Sequence, residues 1–348
     1  QSDFYTYRYF ASEGFLPGYA FPRLPLSAFI PGKRGSKVAD REFVSRPRFL
    51  AISEFGPRAF VYHEGARYQI NRVILPVDDE RDPTTARLKQ CDTCGYIHPI
   101  SDGDGLDLCT NCDSSLPLPL NNLLRLHNVS TRRRDRINAD EEERTRYGYE
   151  IRTGVQFGKG GTRTAELAAP EGSVARIRYG HPMRLYRINM GWSRRPPTEA
   201  PGFVLDLERG YWGTNKMMED HDPQDPMSGR VLRVIPFVED WKNALLFEPS
   251  EAMGEAEMAS LQAALKNAIQ VTFQLEDQEL SAEALPDRFN RRILRSYEAA
   301  EGGAGVLRRV VEEPGALTRV ARTALELCHF DPDSGEDRHR APHAQEDC

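Results

Sequence analysis

Two Cys-x-x-Cys pairs, Cys91–Cys94 and Cys109–Cys112, stand 14 residues apart, and no other feature limits the fold of this chain so tightly. A turn residue follows each pair closely: Gly95 after the first, Asp113 and Ser114 after the second. Thiol pairs carried on two hairpin turns can close a tetrahedron around a single ion, which is the spacing of a zinc ribbon. Four sulfur ligands leave no open coordination position, so the expected Zn2+ is structural: it stabilises the fold and activates no substrate. His98, four residues beyond Cys94, becomes a ligand only by displacing a cysteine. Four reduced thiols spaced by accident are the plain alternative, and a redox pair needs a thioredoxin-like strand-to-helix context that is missing here.

The rest of the chain must supply the core. With 348 residues, 39% hydrophobic and 28% charged, the composition is that of a soluble globular protein of two or three units, at roughly 150 residues per domain. No apolar run approaches the roughly 18 residues of a membrane span. The chain opens at Gln1 on an aromatic stretch, without an initiator Met or signal peptide, and is expected to be a piece of a longer protein. Cysteines at metal spacing imply an intracellular, cytoplasmic setting. A net charge of −6 excludes a uniformly basic coat for nucleic acid but leaves local patches open. Of the 46 basic residues, seven are lysine and 39 arginine. Arginine suits bidentate phosphate or carboxylate contacts, although a GC-rich genome explains the same bias.

Apolar alternation and turn signals predict an α+β protein. Residues 1–85 form a β-rich segment, with a hairpin about Gly65, and residues 86–118 the inserted zinc ribbon. A second β-rich segment follows over 119–250, with strands at Glu150–Phe157, Ala175–Tyr179, Met183–Met190, Gly202–Leu207 and Val231–Val238. From Glu255 the pattern turns helical, so 251–348 is expected to be a mostly helical α/β domain with one strand at Ile293–Glu298.

Two glycine-rich segments invite a nucleotide-binding reading. Gly154–Thr162 fails the P-loop test, because three residues rather than four separate its glycines and Gly160 follows Lys159. Gly302, Gly303 and Gly305 lie between a strand and a helix, a geometry that can offer backbone N–H groups to a phosphate. Close packing of helix on strand is the plainer alternative.

Charge clusters raise two further possibilities. A single helix over 257–284 carries Leu261, Leu265, Ala268, Ile269, Thr272 and Leu275 on one stripe, and Glu276, Glu279 and Glu283 continue that stripe as an acidic one. Inward carboxylates need partners, either arginines such as Arg291, Arg292 or Arg295, or a divalent cation shared with Glu298 as in a metal-dependent nuclease. Arg132, Arg133, Arg134 and Arg136 form a basic knot suited to a phosphate-contacting loop, with an internal salt-bridge lattice to Glu141–Glu143 as the alternative. Arg194 and Arg195 after Trp192 form a basic-aromatic pair of the kind that stacks on unpaired bases, or a surface turn before Pro196–Pro197.

Family resemblance enters over the last hundred residues. Leu261–Leu265, Gln274–Glu279, Tyr297–Gly305 and Leu327–Asp331 resemble the MrfA-type zinc-binding domain at the C-terminal end of large superfamily-2 DNA helicases and in DISARM antiphage proteins. Upstream, Glu13–Gly18, Phe21–Pro25, Ser45–Leu50 and Arg136–Arg144 resemble the long DISARM helicases of the DrmA type. The resemblance implies a C-terminal accessory region of an ATP-dependent DNA helicase or translocase in antiphage defence. DNA, a motor in the same chain and a second defence protein would be its partners, and ATP and Mg2+ would belong only to the motor, outside this sequence. It also implies a cysteine-rich C-terminal segment, in which Cys328 and Cys348 would serve a second metal site. A non-motor adaptor of DrmB type, a DNA-repair helicase region and a metal-dependent nuclease are the alternatives.

Overall fold

The computed structural model describes residues 25–31, 42–76, 85–136, 148–158, 162–170, 172–221, 229–299 and 305–337. In chain order they form β1 (Leu26–Ile30), β2 (Glu42–Arg46), α1 (Arg48–Glu54), β3 (Phe60–His63), β4 (Ala66–Val73), β5 (Thr85–Gln90) and β6 (Ile97–Ile100). Next come β7 (Leu120–Arg125), β8 (Val129–Arg136), β9 (Tyr149–Phe157), β10 (Thr162–Ala169), β11 (Gly172–Trp192), β12 (Phe203–Asp206) and α2 (Asn215–Glu219). The last third holds β13 (Val231–Pro249), α3 (Glu255–Phe273), β14 (Leu280–Pro286), β15 (Arg291–Glu298), α4 (Val306–Glu312) and α5 (Ala316–Leu327). The α+β class read from the sequence holds: the protein is strand-rich, with a few helices gathered mainly at the C-terminal side.

Among the described residues the strands build a five-stranded sheet, β2-β1-β8-β4-β3, and a ten-stranded one. The spine of the larger sheet is the antiparallel pair β11 and β13, in register from Ala175↔Pro249 to Ile188↔Phe237. β13 is apolar on both faces in its middle, with Val234, Ile235, Phe237 and Val238 all buried, as a strand covered on both sides must be. The two strands are long enough to carry different partners at their two ends. β9 pairs with the C-terminal half of β11, β10 with its N-terminal half, and β15 with the C-terminal half of β13. The zinc-ribbon strands β5 and β6 extend the same sheet through β7, so it crosses the expected boundaries near 118 and 250.

The hairpin about Gly65 forms as predicted, β3 turning into β4 through Glu64 and Gly65 with φ of 44° and 72°. Two positive φ values in a two-residue loop match the twist of the flanking strands. Arg132, Arg133 and Arg134 lie on β8 rather than in a loop, paired along β4.

The helix predicted over 257–284 ends early. Gln274 adopts a left-handed conformation (φ 55°), and the Leu275 N–H donates to the Gln270 carbonyl at 2.9 Å, closing the helix with a reversed turn. The Glu276 N–H then bonds the Glu279 carboxylate at 2.8 Å, and from Leu280 the chain is β14, paired with β15. Sequence reading ran on because the turn uses Gln where glycine usually signals it. Helices α3, α4 and α5 share a separate apolar cluster with the sheet, built on Ile269, Leu280, Val306, Leu307, Val310 and Val320. Each such fully buried aliphatic side chain contributes about 1.5–3 kcal/mol relative to exposure.

Candidate metal centre and its surroundings

The four cysteines converge. Cys91 and Cys94 sit on the turn leaving β5, and Cys109 and Cys112 on the turn before Ser114. Both turns are built alike. The Gly95 N–H donates to the Cys91 carbonyl at 2.9 Å, and the Asp113 N–H to the Cys109 carbonyl at 2.9 Å. The Cys91 N–H donates to the Tyr96 carbonyl at 2.9 Å, and the Cys109 N–H to that of Ser114 at 2.8 Å. The fourth residue after each first cysteine takes positive φ, 72° at Gly95 and 57° at Asp113. The turn residues noted in the sequence are therefore the ones that bend each turn back under its thiols.

Sγ of Cys91 lies 3.6 Å from Sγ of Cys112, Sγ of Cys94 lies 3.6 Å from Sγ of Cys109, and all four sulfurs fall within 4.8 Å of one another. A tetrahedron with metal–sulfur bonds of about 2.3 Å has edges of roughly 3.8 Å, so one ion fits this cage with little adjustment. Cys91, Cys94 and Cys109 are buried and Cys112 is half-buried, so the cage is closed to substrates.

The surroundings are those of a thiolate site. Asn111 donates from its backbone N–H to Cys109 Sγ at 3.4 Å and from Nδ2 to Cys94 Sγ at 3.3 Å. Its Oδ1 accepts a bond from Arg178 on β11, which fixes the amide's orientation. Burial pushes the Cys94 thiol well above its usual range and Cys109 up to about 11. Burial also raises Cys112, but the Ser114 hydroxyl and N–H and the neighbouring cysteines outweigh it and bring this thiol down to about 7. Protons held by buried thiols leave when a cation binds, so binding couples to pH. His98 Nε2 stands 3.4 Å from Cys109 Sγ. Burial, reinforced by Lys89, depresses its pKa; with four sulfurs already filling the cage, it borders them as a hydrogen-bonding neighbour.

The acidic residues of the expected stripe are not brought together. Glu276 and Glu279 lie in the turn after α3, where Glu279 caps the Glu276 N–H. Glu283 lies on β14 with its two carboxylate oxygens taken by Arg187 and Arg295. Arg295 is thus one of the three arginines anticipated for this pairing, and Arg187 is a partner the sequence did not indicate. Glu298 ends β15, and its carboxylate accepts the N–H groups of Gly305 at 3.2 Å and Leu307 at 3.0 Å, with Asn243 at 3.0 Å. That carboxylate sits at the start of α4, where a phosphate on the glycine loop was one of the two possibilities. Gly302 and Gly303 lie outside the described residues.

Among the described residues the other trio of ligand-type groups is Glu42, His63 and Glu64, on the surface, with Glu42 and His63 already paired at 2.7 Å. Cys328 ends α5, apart from the thiol cage, and Cys348 lies outside the described residues, as do the acidic run 140–143 and the motifs at 13–18 and 21–24.

The basic residues divide. Arg132, Arg133 and Arg134 are exposed, and Arg134 makes two bonds to Gln69 Oε1 at 3.0 and 2.7 Å. Trp192 stacks on Tyr149 with ring centroids 5.1 Å apart, and Arg195 pairs with Glu150 at 2.8 Å, so that aromatic is spent inside the fold. Arg194 stays exposed. Sequence reading missed a cleft of about 730 Å³ between β9 and the β14–β15 hairpin. Its walls carry Arg152, Arg187, Arg288 and Arg291, with Phe289 at the hairpin tip. The signal available was the density of arginines around Pro286–Asp287–Arg288–Phe289, a turn sequence between two short apolar runs.

Fold and site together define a β-rich α+β protein built around a closed four-cysteine metal cage. No protein-family model matches the chain, and no curated protein matches it. A solved structure described as the DUF1998 helicase MrfA bound to DNA is similar over 93% of this chain and 33% of its own length, at 12% identity and a TM-score of 0.38. The chain thus spans about a third of that helicase. No helix among the described residues is long and apolar enough to cross a membrane.

Proposed function

We propose that this chain is an accessory region of an ATP-dependent DNA helicase or translocase, with a structural Zn2+ held by Cys91, Cys94, Cys109 and Cys112. The observation that carries this reading is the cage itself: four sulfurs at near-tetrahedral spacing, three of them on buried cysteines, supported by Asn111 and with no open position for chemistry. Its setting, a chain whose motifs resemble the C-terminal regions of superfamily-2 helicases, supplies the rest. In this reading the region guides DNA through surface arginines, Arg132–Arg134 and Arg194 among them, and docks a partner from the same antiphage system. ATP and Mg2+ act on the motor, and the C-terminal cysteines Cys328 and Cys348 contribute to a second metal site.

The test is oligonucleotide binding by the 348-residue chain across a salt series. Each single-strand phosphate contact contributes about 0.7 to the slope of log affinity against log salt. Measurable affinity with a salt slope, together with one zinc per cage, supports the reading. A chain that binds no DNA even at low salt overturns it.

A further inference from the structure

The arginine-lined cleft between β9 and the β14–β15 hairpin holds more positive charge than its own acids neutralise. Glu283 serves two guanidinium groups, Arg187 and Arg295, of which Arg295 is fully buried. Glu150 likewise serves two, Arg152 at 3.3 Å and Arg195 at 2.8 Å. The third acid of the lining, Asp287, is occupied by its own turn, accepting the N–H groups of Phe289 at 2.7 Å and Asn290 at 3.1 Å. Arg288 and Arg291 then remain without a carboxylate among the described residues: Arg291 bonds the Gln262 side chain at 2.8 Å, and Arg288 lies over the Phe289 ring at 4.5 Å. The Nε atoms of Arg187, Arg291 and Arg295 are buried and find no acceptor among the described residues. Guanidinium groups that outnumber the carboxylates around a cleft leave it a positive potential that draws in an anion.

Phe289 adds a second, independent cue. It is 72% exposed at the tip of the β14–β15 hairpin, whose pairing runs from Leu280↔Glu298 to Pro286↔Arg291 with a register shift between Leu285 and Pro286. An aromatic ring held in solvent with a guanidinium on one face is a platform on which a base can stack on the other. Paired strands also give this ring a fixed position relative to the arginines behind it.

We infer that this cleft is the path of single-stranded nucleic acid: Arg152 and Arg291 face its phosphates, Arg288 steers it in, and a base stacks on Phe289. The inference rests on the reading that the chain handles DNA, and it places the strand away from Arg132–Arg134. Single strand is favoured over duplex because stacking on Phe289 needs an exposed base face, whereas a duplex keeps its base faces stacked inside the helix.

Two exposed substitutions test this without touching the buried ion pairs. With the zinc-loaded 348-residue chain and a labelled oligothymidylate, Phe289→Ala should weaken binding between about 5-fold and 100-fold while leaving the salt slope unchanged. Arg288→Gln should weaken binding and lower the slope by about 0.7. A matched duplex should bind more weakly than the single strand and ignore Phe289→Ala. If the chain binds the oligonucleotide and both variants match the parent in affinity and slope, the cleft is not the path, while the accessory DNA-binding reading stands. If the chain binds no oligonucleotide, both fall together. Equal binding of a polyglutamate peptide, lost with the same two variants, would make the cleft a peptide groove and overturn the assignment.

Discussion

Replacing Glu283 by Gln probes a carboxylate shared by two largely buried arginines. Its carboxylate bridges Arg187 and Arg295, whose side chains are 18% and 0% exposed, and it is itself 22% exposed. At an effective dielectric constant of about 20, each contact pair is worth about 4 kcal/mol before desolvation. Desolvation offsets much of this in the intact pair. It is not recovered when one partner goes, because the two guanidinium groups remain buried and then repel each other. Burial depresses the pKa of both arginines, bringing Arg295 down to about 10, and for Arg187 the neighbouring Arg295 adds to the depression. Both still carry charge at neutral pH, so the variant retains two cations with no anion between them. The expected loss is about 3–5 kcal/mol. In urea, with a slope of about 3 kcal/mol per molar, the midpoint should fall by about 1–1.7 M. Glu276→Gln, at an exposed turn, should leave it within about 0.5 kcal/mol, the usual range for surface changes. A double-mutant cycle of Glu283→Gln with Arg187→Met should show coupling of at least about 1 kcal/mol. Unchanged stability in Glu283→Gln would refute the reasoning, since it would mean that the two arginines need no shared anion.

Three other outcomes follow from the same structure. Cys94→Ser should lose the metal and lower the unfolding temperature, read by elemental analysis beside a melting curve, and acidification should release the metal as thiolates take up protons. Glu298→Ala removes the acceptor for Gly305 and Leu307 and should cost about 2–3 kcal/mol; hydrogen exchange should quicken in α4 first, and added inorganic phosphate should not restore it. Gly154→Ala forces a Cβ to about 2.5 Å from Ile97 and 3.1 Å from the Gly95 carbonyl, so it should cost about 1–3 kcal/mol by denaturant unfolding.

How far the sequence could be read depended on whether the decisive contacts were local. The metal cage was legible because both turns are built within a few residues of their own cysteines. The Gly65 hairpin and the strand at 293–298 were legible for the same reason. The reach of β13 to Pro249 was not, because Trp241–Lys242–Asn243 interrupts the apolar alternation while the backbone continues pairing with β11 and β15. Helix α1, Arg48–Glu54, lies inside the segment 1–85 expected to be β-rich; seven residues give little room for a 3.6-residue period to declare itself. The acidic residues failed more instructively. Projected on a helix they formed one stripe, yet the left-handed Gln274 sends Glu276, Glu279 and Glu283 into a turn and a strand, with separate partners. Arg187 and Arg295 are 108 residues apart in the sequence, and only the sheet brings them to one carboxylate.

The cage and the cleft are mechanically one unit. The Gly95 carbonyl, on the first cysteine turn, accepts the Val155 N–H of β9 at 3.1 Å, and Tyr96 bridges to the same residue. On its other side Gly95 lies against β14: a Cβ there would stand 3.1 Å from Leu285 and 3.2 Å from Pro286. Ile97 fills the space over Gly154, and Asn290 in the hairpin turn donates to the Asp92 carbonyl, between the two cysteines, at 3.5 Å. Both walls of the cleft, β9 and the β14–β15 hairpin, are therefore braced against one cysteine turn. Such a turn has little apolar core of its own and needs the ion to hold its shape. A metal held by Cys91, Cys94, Cys109 and Cys112 would stiffen the turn on which both walls rest. A closed four-sulfur site would in that way contribute rigidity to a binding surface, and no chemistry.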